Sequence, residues 1–154
     1  MIYALAFCIG IIAGLRTMTA PMVVSWAARI SRLHLGGTWL AFLGYTWTPW
    51  IFTLAAIGEL INDKLPKTPS RKTPPQFAAR IVMGSLSGAA VGASSGALWF
   101  GLVLGALGAV AGTLGGAWAR ATFARAIGGK DLPIALLEDV VAVGGGILLM
   151  AALP

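Results

Sequence analysis

Residues 2–15 run apolar without a single charge, and the run then breaks at Ala13-Gly14-Leu15-Arg16-Thr17-Met18-Thr19-Ala20-Pro21. This break constrains the fold more than any other feature of the chain. An arginine at mid-span costs roughly 2.5–3.5 kcal/mol on membrane-insertion scales. A glycine before it, two threonines after it and then a proline read as one helix stopping and another starting. Thr19 is suited to cap the second helix, and Pro21 is tolerated in its first turn. A discontinuous helix at membrane depth is allowed only where its freed backbone faces protein or a wet cavity. The break is therefore the first candidate for a binding site, with Arg16, Thr17 and Thr19 as its ligand-facing residues. Two arrangements fit residues 2–31, a re-entrant hairpin with Arg16 at its tip or one long kinked span. Each piece is too short for the roughly 20 residues of a full crossing, which favours the hairpin.

Composition supports a membrane setting. The 154 residues are 58% hydrophobic and 10% charged, with mean hydropathy +0.86, whereas a soluble domain carries about 25% charge. The length accommodates one compact bundle, so residues 1–154 read as a single transmembrane domain. The excess of 11 Lys+Arg over 5 Asp+Glu is what the positive-inside rule produces beside membrane spans, and calls for no nucleic acid. No basic residue precedes the first apolar run, so it does not read as a cleavable signal and is expected to be retained. The single Cys8 forms no internal disulfide framework.

Four full spans are expected after the broken pair 2–15 and 20–31, giving an all-α polytopic bundle. Residues 39–62 form the first, with an aromatic belt of Trp39, Tyr45, Trp47 and Trp50 and a bend at Pro49. The hydrophilic segment 63–77 follows, holding Lys64, Lys67, Arg71, Lys72 and four prolines, and is expected in the cytoplasm beside anionic headgroups. Residues 78–98 carry Gly84, Gly88, Gly92 and Gly96 at a period of four. Residues 101–121 carry Gly101, Gly105, Gly108 and Gly112, so the two predict a tight antiparallel hairpin turning at Trp99-Phe100. A second basic connection, 122–133 with Arg125 and Lys130, is also expected in the cytoplasm, and Asp131 caps the last span 134–153. Gly144-Gly145-Gly146 interrupts that span in shape.

Membrane insertion leaves several charges unexplained. Glu59, Arg80, Arg120 and the pair Glu138-Asp139 fall near the cytoplasmic ends of four spans, beside Asp63 and within reach of Arg16. Paired across helices such charges are tolerated; alone each is costly. Arg16, Arg80 and Arg120 with Thr17 and Thr19 suit a phosphate or carboxylate ligand. Glu59, Asp63, Glu138 and Asp139 suit proton coupling or ion pairing. Three hydrophobic segments in each of 1–62 and 78–154, with Gly14-Leu15-Arg16 echoed by Gly115-Gly116-Ala117-Trp118-Ala119-Arg120, hint at an inverted duplication. His34 stands alone, so no zinc or haem set is available, and no serine, threonine or cysteine has a recognisable base partner. No cofactor and no enzymatic activity are expected.

Three motifs together resemble a known family. They are Gly14-Leu15-Arg16, Glu59-x-x-x-Asp63-Lys64-x-Pro66 closing a span, and Leu137-Glu138-Asp139 opening the last. The pattern is similar to a group of bacterial inner-membrane proteins labelled domain of unknown function 4126. The resemblance implies membrane location and the choice of charged residues, and it brings no activity or substrate. The leading expectation is a small transporter or flippase-like carrier of an anionic solute or lipid headgroup, with homo-oligomerisation open. The alternative is a non-transporting scaffold or assembly subunit whose buried charges only fix the helices. A third reading, an enzyme on phospholipid headgroups, lacks a nucleophile or metal cluster.

Overall fold

The computed structural model describes residues 1–64, 73–126 and 132–153. Among these the chain is all-helical: α1 (Ile2–Leu15), α2 (Thr19–Arg29), a 3-10 helix (Trp39–Gly44), α3 (Thr48–Asn62), α4 (Pro74–Ala93), α5 (Leu98–Ala126) and α6 (Leu132–Ala151). Expectations placed on Pro66, Lys67, Arg71, Lys72, Lys130 and the capping role of Asp131 lie outside the described residues.

Among the described residues two helices, α5 and α6, are long and apolar enough to cross a membrane. The expected span 39–62 is divided instead. Thr38 opens the 3-10 helix by accepting a hydrogen bond from the Leu40 N–H, and the Thr48 hydroxyl donates to the Phe42 carbonyl at 2.7 Å. Pro49 then falls in the first turn of α3, so it starts that helix and does not bend it. α4 reaches 20 residues, but Gln76, Arg80 and its small polar positions dilute its hydropathy.

Helix α5 is the axis of the bundle because its glycines leave backbone open to two neighbours. Toward α4, which runs antiparallel, a Cβ added at Gly88 would collide with the Gly101 carbonyl, and one at Gly105 with the Gly84 carbonyl. Toward α1, which runs parallel, one at Gly108 would meet the Phe7 carbonyl and one at Gly112 that of Ile11. The expected hairpin of α4 and α5 is present. Gly108 and Gly112 serve a different neighbour although at 100° per residue they stay within about 20° of Gly101; α1 takes over from α4 along the length of one glycine face. Gly96 does not join the groove: it has φ +73 and sits in the turn, which residues 94–97 make in place of Trp99-Phe100. The ring of Phe100, within the first turn of α5, meets Tyr3 edge-on at 6.1 Å.

Helices α1 and α2 fold back on one another. Ile9 and Val23, each seven residues from Arg16, line one small cavity together with Leu5, Val24 and Leu149. Above that cavity α6 meets the pair through two glycines: Gly145 lies against Ile12 and Gly146 against Val23. The glycine triplet leaves α6 unbroken, and two of its three members join the contact face. At the far end Arg32 caps α6, its Nη1 donating to the Ala151 and Leu153 carbonyls at 3.5 and 3.4 Å. Trp26 fixes α3 beside α2, donating from Nε1 to Thr53 Oγ1 at 3.0 Å and meeting Trp50 edge-on at 5.1 Å.

Candidate functional site

The topology brings six helix ends to one end of the bundle. They are the close of α1, the entry to α2, the close of α3, the start of α4, the far half of α5 and the start of α6. Four basic side chains (Arg16, Lys64, Arg80, Arg120) meet four acidic ones (Glu59, Asp63, Glu138, Asp139) there.

The centre is Arg16, whose side chain is 0% exposed. Its Nη1 lies 2.7 Å from Asp63 Oδ2 and its Nη2 2.6 Å from Asp139 Oδ1. Neither contact meets strict hydrogen-bond alignment, so charge holds this guanidinium more than direction does. Asp139 is shared with Lys64, whose Nζ stands 2.6 Å from Oδ2. Asp63 is shared with Arg120 at 3.1 Å, and Arg120 reaches Glu138 at 3.6 Å.

The helix break is satisfied by two long-range caps. Arg80 Nη1 donates to the Gly14 and Leu15 carbonyls at 2.6 and 2.8 Å, closing α1, and Thr113 Oγ1, which donates to the Ala109 carbonyl at 2.7 Å, stands 3.3 Å from the Gly14 carbonyl. On the other side the Glu59 carboxylate accepts from the Thr17 and Met18 N–H groups at 2.8 and 2.7 Å, at the entry to α2. Arg80 Nη2 and Glu59 Oε1 lie 3.8 Å apart, which ties the two caps to each other. Backbone groups released by a broken helix need such partners.

A family described as a domain of unknown function (DUF4126) matches residues 3–154. The chain belongs to the DUF4126 family. No curated protein and no solved structure matches it. The matched range takes in all eight charged residues of this DUF4126 cluster.

Of the residues singled out from sequence, Arg16, Asp63, Arg120, Glu138 and Asp139 meet in one network; Glu59 and Arg80 form a pair across the helix break next to it, where Thr17 adds a backbone N–H. Thr19 is the exception. It is the first residue of α2 and its buried side chain turns toward Gly146, while Met18 occupies the cap position without a side-chain bond. The cap expected from Thr19 comes from Glu59, 41 residues on from Met18. Two members of the DUF4126 site were missed. Lys64 reads in sequence as a loop charge, and Thr113 as one hydroxyl in a glycine-alanine face. Nothing in the sequence around either marks its partner. The inverted duplication gains no support. Helices of 14, 11 and 15 residues precede the hydrophilic segment and helices of 20, 29 and 20 follow it. Glu59 also stands near the end of α3, whereas Glu138 stands near the start of α6.

Burial pushes the Asp63 carboxyl up, but contact with Arg16 and its charge, followed by Arg120, outweigh it and hold this carboxyl below its ordinary value. A carboxylate with a lowered folded-state pKa contributes stability that is full above the unfolded value, about 3.9, and is lost as pH falls through the folded one. Thermal unfolding in detergent should therefore show a gap between wild type and Asp63→Asn that is constant from about pH 8 to 5 and closes in acid below about pH 4. A gap that widened toward acid would contradict the pairing of Asp63.

Proposed function

We propose that this protein is a multi-pass protein of the bacterial inner membrane that carries an anionic solute or lipid headgroup through its ionic cluster. Support for the membrane comes from an inside-out helix. The buried residues of α6 are Ala135, Asp139, Ala142 and Gly146, while Leu136, Leu137, Val140, Val141, Ile147 and Leu148 face outward. In water this arrangement forgoes burial of the large side chains; in lipid it is the favourable one. The membrane is crossed by α4, α5 and α6, and by α3 together with the 3-10 helix, and the α1–α2 pair enters as a re-entrant hairpin. The basic segments 63–77 and 122–133 lie on the cytoplasmic side, with the ionic cluster between them.

The observation that carries the reading is the Glu59 carboxylate on the Thr17 and Met18 N–H groups, 3.8 Å from the buried guanidinium of Arg80. Consecutive backbone N–H groups at a helix entry and a guanidinium form an anion site. Here a tethered carboxylate occupies it, as a competitor that an incoming phosphate or carboxylate displaces. Protonation of Glu59 releases the same position and couples proton movement to exchange.

Proteoliposomes test this with inorganic phosphate, glycerol phosphate and a fluorescent anionic lipid as probes, under imposed pH and ion gradients. Wild type is expected to move at least one of them. Glu59→Gln, which keeps the shape and loses the charge, is expected to bind the same probe about tenfold more tightly and to lose its pH dependence, the equivalent of about 1.4 kcal/mol. A wild-type protein that moves none of the three under any gradient overturns the carrier. One observation favours the second reading, a scaffold: among the described residues, each of the four cations of the cluster already stands within ion-pair distance of an acid. On that reading Glu59→Gln lowers the melting temperature and leaves no transport to lose.

A further inference from the structure

Helix α2 ends without a glycine. Its last turn is closed by the Ser31 and Arg32 N–H groups, which donate to the Ala28 and Ala27 carbonyls at 3.2 and 2.9 Å. Such a turn needs a left-handed residue, and Ser31 supplies it at φ +62, where glycine would be unstrained. Among the described residues it is the one non-glycine with a positive φ. Leu33 and Leu35 are then buried in the core and alternate with exposed His34 and Gly36. The 3-10 helix folds back, Gly44 lying against Ala28, and delivers Tyr45, which is exposed. Between these pieces lies an open bowl of about 290 Å³, lined by Ser31, His34 and Tyr45 together with Ala28, Gly36 and Ala41. That volume is at the lower edge of small-molecule sites, about 300–1,000 Å³.

The bowl stands at the opposite end of the bundle from the ionic cluster. Arg32, next in sequence to Ser31, donates to the carbonyl of Ala151, twelve residues and about 18 Å along α6 from Asp139. All five acidic residues of the chain lie at position 59 or later, and the four described ones stand in the cluster. The segment that forms the bowl carries Arg29, Arg32 and His34 and no acid. We propose that this bowl is the outer phosphate site of the carrier, where a phosphate group, free or on a lipid headgroup, is held by the Ser31 and Tyr45 hydroxyls and the His34 ring. The proposal rests on the carrier reading and gives it a second anion site, on the far side of the membrane. Two hydroxyls and an imidazole N–H donate to the oxygens of a phosphate, and the local excess of cations favours an anion over a neutral solute. Ser31 keeps a hydroxyl where the backbone favours glycine, which is how strain is retained at binding sites.

The full chain in detergent is titrated with glycerol phosphate by calorimetry, with glycerol as the uncharged control, and with phosphatidylglycerol counted by native mass spectrometry. Tyr45→Phe is expected to weaken binding of at least one of the two phosphate probes about tenfold, the worth of a hydrogen bond to a charged group. Ser31→Gly is expected to weaken the same probe about tenfold while raising the melting temperature, because it relieves the left-handed serine. A serine that only ends the helix would raise the melting temperature and leave binding unchanged. An effect on glycerol phosphate identifies free phosphate esters as the ligand, and an effect confined to phosphatidylglycerol identifies the lipid. A wild type that binds neither probe, glycerol that competes with glycerol phosphate, or variants that bind both probes as wild type does each overturns the bowl. Binding that depends on Tyr45 and Ser31 without transport keeps the phosphate site and removes the carrier. Transport in proteoliposomes that is unchanged in both variants keeps the carrier and removes the site.

Discussion

Arg16→Met is expected to destabilise the fold by about 3–5 kcal/mol, the range for removing one partner of a buried ion pair. The methionine keeps most of the apolar stem and leaves Asp63 and Asp139 without the cation that stands 2.7 and 2.6 Å from them. The loss comes chiefly from the acids left behind, which must stay charged in a sheltered place or take up protons. Adding Asp139→Asn should therefore restore about half of it, because Asp63 keeps Arg120 and Lys64, 28% exposed, can turn to solvent. Chemical unfolding of the three proteins in one detergent checks both numbers. A double variant no more stable than Arg16→Met alone would show that the pairing energy lies elsewhere.

Gly105→Ala is expected to cost about 1–3 kcal/mol or more, the range for overpacking, although it adds one methyl group. That methyl would collide with the Gly84 carbonyl and stand 2.9 Å from the Gly88 Cα, both backbone atoms that no rotamer change can clear. Relief requires α4 to move away from α5, and the approach of these helices is what the bundle is built on. Gly115→Ala in the same helix is the control, since nothing lies within 4 Å of its added Cβ. There the helix gains about 0.5–1 kcal/mol from reduced backbone freedom in the unfolded chain. Melting temperatures that move in opposite directions for the two variants are the expected result, and equal shifts would contradict the close approach.

Much of this protein is legible in its residue order because the signals are local. The apolar runs separated by Gly36-Gly37 and the proline-rich segment mark helices by composition alone. The break at Arg16 is visible because an arginine between a glycine and a cap-forming run is a local contradiction within an apolar stretch. The spacing of four from Gly84 to Gly92 and from Gly101 to Gly105 announces a close helix contact, since the period places all of them on one face. The charges that no loop accounts for could be named from the cost of placing them in lipid.

What the order of residues does not carry is partner choice. Thr19 has the chemistry of a cap and stands in the right place, yet Glu59 closes the break, because the antiparallel course of α2 and α3 delivers a full negative charge to the Thr17 and Met18 N–H groups. Gly108 and Gly112 continue the face of Gly101 and Gly105, but along the length of α5 that face passes from α4 to α1. Lys64 becomes part of the network only because α6 starts where α3 ends. Residue type sets what a side chain can bond to, and short-range geometry sets which backbone groups are left over. Which of the eight charges meets which is a matter of distances across helices far apart in the chain, and those distances are fixed only once α1, α4 and α5 have packed to backbone contact.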